Sequence, residues 1–150
     1  MELKKAELSH LAQIEALEEV CFSCPWTASQ LQNMMEDEKA AFLVAVEGDA
    51  VAGYAAFTSV LDEGYIANVA VSPDHRRRGL GDALVRALAD EARRRQLSFL
   101  TLEVRESNAP ARALYEKHGY KAVGLRKNYY EKPTESAILM TLWLTEPDKR

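Results

Sequence analysis

Three consecutive arginines run into two glycines in Arg76-Arg77-Arg78-Gly79-Leu80-Gly81. An apolar, strand-like run, residues 65–71, precedes them, and an amphipathic helical pattern begins at Leu80. A strand, a glycine turn and a helix start in that order make an anion site. The first amides of a helix have no partner within it, and the aligned peptide dipoles favour negative charge there. Glycines let a ligand approach the backbone closely, and the arginines add positive charge. Such a turn suits a phosphate or pyrophosphate. It is not a P-loop, because GxxxxGK[ST] is absent, and not a dinucleotide fingerprint, because GxGxxG is absent. The plainer alternative is a surface turn with solvated arginines.

Two further side chains have types and places suited to proton transfer. Glu103 lies mid-strand in Phe99-Leu100-Thr101-Leu102-Glu103-Val104-Arg105, on the polar side of a strict alternation. It suits a general base, or equally a solvent-facing partner for Arg105. Tyr115 falls on the apolar side of a helical pattern that follows Asn108 and Pro110, so it points inward as an acid or as core packing. Cys21 and Cys24 form a CxxC pair, but His10, His75 and His118 are scattered singly and a Pro-Trp step follows at once. Two plain thiols are the reading, with no metal site.

Seven strands and four helices must position these groups. Strands are expected at 2–7, 41–47, 51–61, 65–71, 99–105, 120–126 and 137–144. A first helix capped by Ser9 carries the stripe Leu11, Ile14, Leu17 and Val20. A second opens with the capping box Thr27-Ala28-Ser29-Gln30. The third buries Leu80, Leu84, Leu88 and Ala92 with Ala83 and Ala87, and keeps Glu91, Arg93, Arg94 and Arg95 wet. The fourth is capped by Asn108 and closed by Gly119. Residues 127–136 read as a polar, aromatic loop, and the stretch 145–150 is expected to fray. The order β-α-α-β-β-β-α-β-α-β-β describes a mixed α/β sheet with helices packed on it.

With 150 residues, no linker and no repeat, one domain spanning 1–150 is expected. Hydrophobic residues are 47% and charged residues 28%, which suits a globular chain. A net charge of −4 argues against nucleic-acid binding, where a broad basic surface is needed. No apolar run approaches a membrane span and the start, MELKKAELSH, lacks a signal-peptide apolar region, so a cytoplasmic location is expected. Nothing resembles a dedicated oligomerisation helix, so a monomer is expected.

The segment Arg76-Arg77-Arg78-Gly79-Leu80-Gly81 resembles the acyl-coenzyme A signature, Q/R-x-x-G-x-G/A, of the GCN5-related N-acetyltransferase (GNAT) superfamily. Ile66-Ala67-Asn68-Val69-Ala70-Val71-Ser72-Pro73 is similar to that family's fourth strand, and Asn108-Ala109-Pro110-Ala111-Arg112-Ala113-Leu114-Tyr115 to its second coenzyme segment. Phe22-Ser23-Cys24-Pro25-Trp26-Thr27, Leu102-Glu103-Val104-Arg105 and Arg126-Lys127-Asn128-Tyr129-Tyr130 add a closer likeness to the branch that acetylates the N-terminal alanine of a small-subunit ribosomal protein. The likeness covers essentially the whole chain.

The resemblance implies a mostly antiparallel seven-stranded sheet, splayed between strands four and five, and acetyl-CoA as co-substrate without a metal. It implies that Val69, Ala70 and Val71 flank the pantetheine arm, with a backbone N–H near Val69 polarising the thioester. The backbone of Arg77 to Asp82 with the charge of Arg76, Arg77 and Arg78 would hold the pyrophosphate, and Asn108 the pantetheine amides. Glu103 would be the base and Tyr115 the acid. Trp26, Asn68, Tyr129 and Tyr130 would wall the acceptor groove, and Asp62, Glu63 and Glu131 would attract a basic N-terminal segment. Transfer to a small amine, or a coenzyme-binding module without turnover, are the alternatives.

Overall fold

The computed structural model describes residues 1–145; residues 146–150, most of the stretch expected to fray, lie outside the described residues. Seven strands form one sheet in the order β1-β2-β3-β4-β5-β7-β6. They are β1 (Glu2–Lys5), β2 (Ala41–Glu47), β3 (Ala50–Val60), β4 (Glu63–Val71), β5 (Phe99–Arg105), β6 (Lys121–Tyr130) and β7 (Glu135–Trp143). Every pairing is antiparallel except β4 with β5. The helices are α1 (Leu11–Cys21), α2 (Ala28–Glu36), α3 (Leu80–Arg94) and α4 (Ala109–Lys117). None is long and apolar enough to cross a membrane among the described residues.

The central strands are covered on both faces, so they read as unbroken apolar runs. Alternate residues of Ala41-Phe42-Leu43-Val44-Ala45-Val46 go to opposite cores. Phe42, Val44 and Val46 pack with Ile14, Leu17, Leu31 and Met34 of α1 and α2. Ala41 and Ala45 pack with Leu84, Val85, Leu88 and Ala92 of α3. Helix α3 buries Val85 and Ala89 where Ala83 and Ala87 were expected; those two are only half-buried at the stripe's margin. The α2 capping box forms as its sequence requires: Thr27 Oγ1 accepts from the Gln30 amide at 3.1 Å, and Gln30 Oε1 from the Thr27 amide at 2.9 Å.

Three expectations are corrected. Ser9 does not cap α1. Leu8–His10 forms a short 3-10 turn instead, closed by the Glu7 amide donating to His10 Nδ1 at 3.0 Å, and α1 starts at Leu11. The buried stripe of α1 contains Glu18 and not Val20, which is 65% exposed. Ile14, Leu17 and Glu18 are the buried positions, an i, i+3, i+4 spacing of the 3.6-residue turn that Val20 falls outside. Lastly, of the loop expected at 127–136 only residues 131–134 are a turn. Strand β6 continues to Tyr130, with Arg126 opposite Ala137 and Tyr130 opposite Glu135, around a bulge where Asn128 has φ 53°.

Two irregularities of β4 open the sheet. Ala56 faces Asn68 but Phe57 faces Ile66, so Ala67 is an extra, bulged residue. The parallel pairing with β5 lasts only through Glu63–Phe99, Gly64–Leu100 and Tyr65–Thr101. Beyond Tyr65 the two strands part.

Candidate functional site

The parted strands enclose a cleft of about 340 Å³. Residues 66–69 of β4 form one wall and 102–105 of β5 the other. Trp26 and its neighbours on the α1–α2 loop, Asn108 and Tyr115 of α4, and Tyr129 and Tyr130 at the end of β6 complete it. The structure thus brings Trp26, Asn68, Val69, Glu103, Asn108, Tyr115, Tyr129 and Tyr130 to one place. Ala70 does not line it: its side chain is 3% exposed, in the core under α1 and α2. Val71, the last residue of β4, does not line it either, and residues 76–82 lie beyond that end of the strand, leading into α3.

Glu103 is half-buried and its Oε1 is 3.8 Å from Arg126 Nε. It is not the partner of Arg105. That guanidinium donates to Glu135 Oε1 at 3.2 Å, to the Pro133 and Glu131 carbonyls at 2.9 and 2.7 Å, and to Ser23 Oγ at 3.1 Å. It also lies over the Tyr130 ring at 4.5 Å. Arg105 therefore binds the α1–α2 loop to the β6–β7 turn, and Glu103 faces the cleft without it.

Tyr115 is 8% exposed, its ring 5.4 Å from that of Tyr120. Burial, with Tyr130 nearby, holds its phenol well above the ordinary tyrosine range, so it keeps its proton at neutral pH. Burial first, then Tyr129, pushes Tyr130 up to about 12. Asn108 Oδ1 accepts from the Ala111 amide at 3.2 Å, so the side chain caps α4 while lining the cleft.

Burial also raises Tyr54 and Tyr120, with Glu18 adding to the shift of Tyr54. An unfolded tyrosine ionises near pH ~10, whereas these four hold their protons longer when folded. The unfolded chain then binds fewer protons, so stability is unaffected below pH ~10 and falls as pH rises above it. Urea midpoints measured from pH 8 to 11 check this; a flat profile would contradict it.

At the start of α3, Gly79 has φ 77° and Arg77 φ 65°, a left-handed turn that aims successive amides outward. A Cβ on Gly79 would meet nothing within 4 Å, so space beside the backbone is open for a ligand. A Cβ on Gly81 would come within 3.3 Å of Leu114 Cδ2, so that glycine serves the α3–α4 contact. Arg76 folds back, donating to the Val71 carbonyl at 3.3 Å and to Cys21 Sγ at 3.6 Å. Arg78 reaches Glu47 at 3.9 Å. The Asp82 carboxylate is turned away to Lys117 Nζ at 3.0 Å and His118 Nε2 at 2.9 Å, and those hydrogen bonds hold it below the usual carboxylate range. Asp82 thus offers the turn its backbone only.

Asp62 and Glu63 sit at the closed end of the strand pair, where Asp62 accepts from Ser98 and Glu63 from Tyr65. They do not line the cleft, contrary to the expectation for an acceptor-attracting charge. Cys21 and Cys24 are free thiols. No group of three or more His, Cys, Asp or Glu is placed to hold a metal among the described residues. Glu18 was missed by sequence reasoning. Its carboxyl is fully buried behind the cleft and touches both Trp26 and Asn68. The signal was present, a charged residue at a core position of a helical period.

The model of the acetyltransferase (GNAT) family matches residues 11–120. The [ribosomal protein bS18]-alanine N-acetyltransferase of Escherichia coli (strain K12) is 37% identical over 144 residues, 93% of this chain and 95% of that protein. The protein of that name from Salmonella typhimurium (strain LT2) is 40% identical over 130 residues, 84% of this chain and 86% of its own. The crystal structure of the ribosomal-protein-S18-alanine N-acetyltransferase from Escherichia coli superposes with TM-score 0.89 at 34% identity, covering 97% of this chain and 94% of that one. With the parted strands and the glycine turn at α3, these matches establish that the chain belongs to the GNAT family of acetyltransferases.

Proposed function

We propose that this chain, as a single domain over 1–150, moves an acetyl group from acetyl-CoA to the N-terminal alanine of ribosomal protein bS18. The observation that carries the reading is one cleft, between strands that pair for only three residues, lined by the carboxyl of Glu103 and the buried phenol of Tyr115. The names of relatives covering most of the chain supply the acceptor. The chain acts as a cytoplasmic monomer, and its net charge of −4 suits an acceptor that is a basic protein segment and not nucleic acid.

The open turn at Gly79 fits the pyrophosphate of acetyl-CoA. Backbone amides of residues 77–82 donate to it, with the charge of the three arginines around them. Asn108 spends Oδ1 on its helix cap and keeps its amide N–H groups for a pantetheine carbonyl. Residues 67–69, released from β5 and turned by the bulge, present a backbone N–H for the thioester oxygen. An α-amine with pKa ~8 is mostly protonated at pH 7, so a base is needed, and Glu103 takes that proton. Amine attack on the thioester carbonyl forms the amide and breaks the C–S bond. Tyr115 gives its phenolic proton to the departing thiolate, and the second proton of the attacking nitrogen passes through water to the phenolate, which leaves a neutral amide and restores the phenol.

Small-amine transfer is the weaker reading. A polyamine site calls for several acidic walls. Among the described residues that line the cleft, Glu103 is the one acid and Arg105 is a base, flanked by Trp26 and Tyr130. A turnover assay decides the matter, comparing a peptide that starts Ala-Arg, the same peptide with a blocked N-terminus, and spermidine. Acetylation of the free peptide alone is expected; acetylation of spermidine alone would replace this reading with the small-amine one.

Gly79→Val is expected to weaken acetyl-CoA binding by about tenfold or more, because a β-branched residue resists the left-handed conformation there. Calorimetric titration measures it. Unchanged affinity would remove the turn from the coenzyme site.

A further inference from the structure

Glu18 is 0% exposed and has no cation partner in its hydrogen-bond set. Oε1 accepts from the Trp26 backbone N–H at 2.8 Å. Oε2 accepts from Asn68 Nδ2 at 2.9 Å and from the Tyr54 hydroxyl. Taking a carboxyl out of water is costly, and an apolar side chain of similar volume would fill the same space more favourably. Packing alone therefore does not account for it. Its three donors come from three different segments, and none belongs to α1. Two of those segments are walls of the cleft: the α1–α2 loop at Trp26, and β4 directly after the bulged Ala67.

We propose that Glu18 is the positioning residue of the acceptor side, its buried carboxyl fixing the distance between the Trp26 loop and the kinked strand β4. The inference rests on the acetyl-transfer reading above. It locates acceptor recognition partly in a residue that never touches the acceptor. The pyrophosphate and pantetheine grips are built separately, from the start of α3 and from α4, so loss of the tie leaves acetyl-CoA affinity nearly unchanged while it loosens the acceptor side.

Geometry suggests a selective perturbation. A carboxylate accepts all three bonds, whereas the amide in Glu18→Gln must turn an NH2 toward one side. With its oxygen kept for Trp26, that NH2 faces Asn68 and Tyr54. Asn68 can rotate its own amide to offer an oxygen, but the Tyr54 hydroxyl then loses its acceptor inside the core. Adding Tyr54→Phe removes the orphaned hydroxyl at the cost of one amide N–H left without an acceptor, so the relief is partial.

Glu18→Gln is expected to raise KM for an alanine-starting peptide about tenfold, as expected for one unsatisfied buried polar group, with the acetyl-CoA Kd changed less than about twofold. Glu18→Gln with Tyr54→Phe is expected to bring the peptide KM back to within about threefold of the parent. Asn68→Ala leaves the carboxyl paired with Trp26 and Tyr54 and tests the β4 tie even where Glu18→Gln does not fold; it should raise peptide KM about fivefold. A peptide KM unmoved in Asn68→Ala, or moving in step with the acetyl-CoA Kd, overturns the proposal. So does a double variant no better than Glu18→Gln. Acrylamide quenching of Trp26 fluorescence in a Trp143→Phe background reads the loop without activity. Greater quenching in Glu18→Gln is expected even where the parent acetylates no peptide, and that separates failure of the acceptor reading from failure of this one.

Discussion

Replacing Tyr115 by phenylalanine is expected to lower kcat about a hundredfold, the lower range for removing a positioned general acid. The acetyl-CoA Kd should change by less than about twofold. The two effects separate because the substitution deletes one oxygen and keeps the ring. The ring is the part buried against Tyr120, at 5.4 Å between centroids, so α4 stays packed. The lost oxygen carries a proton that burial retains above the ordinary tyrosine range. Such a phenol is a weaker acid than the thiol of pKa ~8.5 that it forms, so it gives up that proton only as the second proton of the attacking nitrogen replaces it. Single-turnover kinetics together with calorimetry make the measurement. Parallel losses in turnover and binding would make Tyr115 a packing residue. Unchanged turnover would pass the acid role to another group at the cleft, Tyr130 or water.

Glu103→Gln should lower kcat/KM for the peptide by about 10²–10³ at pH 7, the range for a general base. The pH dependence identifies the role. An α-amine of pKa ~8 is about one-tenth free base at pH 7 and mostly free base at pH 9. Without a base the variant depends on that fraction, so its kcat/KM should climb about tenfold from pH 7 to 9. The parent, with the carboxylate to take the proton, should climb less. Glutamine retains the shape and removes the charge that faces Arg126 at 3.8 Å; that pair is partly exposed and contributes little to stability. Equal pH profiles for parent and variant would deny Glu103 the base role, leaving it an acceptor contact or a strand residue.

Both predictions use residues visible in the sequence, and the reason lies in what is local. Glu103 stands out because period-2 alternation over Phe99–Arg105 is a property of neighbouring residues, and the observed burial follows it. The capping box at Thr27, the cap at Asn108 and the left-handed turn at Gly79 are decided within four residues of chain, and all three form. The order of seven strands and four helices follows from the same local periods. Where two periods compete, local reading fails. Val20 and Glu18 fit different helical stripes, and hydrophobicity favours the wrong one. At 127–130 the polar and aromatic letters suggest a loop, whereas pairing with β7 extends the strand.

The function-bearing geometry is long-range. That β4 and β5 pair through Tyr65 and then part depends on a bulge at Ala67 and on β3 holding the other edge. Arg105 chooses Glu135, 30 residues away, over its neighbour Glu103, because the β6–β7 turn carries acceptors into reach of the guanidinium fork. Asp82 is drawn off the anion turn by Lys117 and His118 of another helix. Glu18 becomes a core residue only when Trp26, Tyr54 and Asn68 converge on it. By itself the sequence determined most of the elements, the caps of α2 and α4, the glycine turn before α3 and the residue types capable of acid–base chemistry, since these rest on backbone preferences and short periods. The tertiary structure decided which of them meet, which charges are already paired, and where the sheet opens, since those depend on contacts between segments that no local pattern encodes.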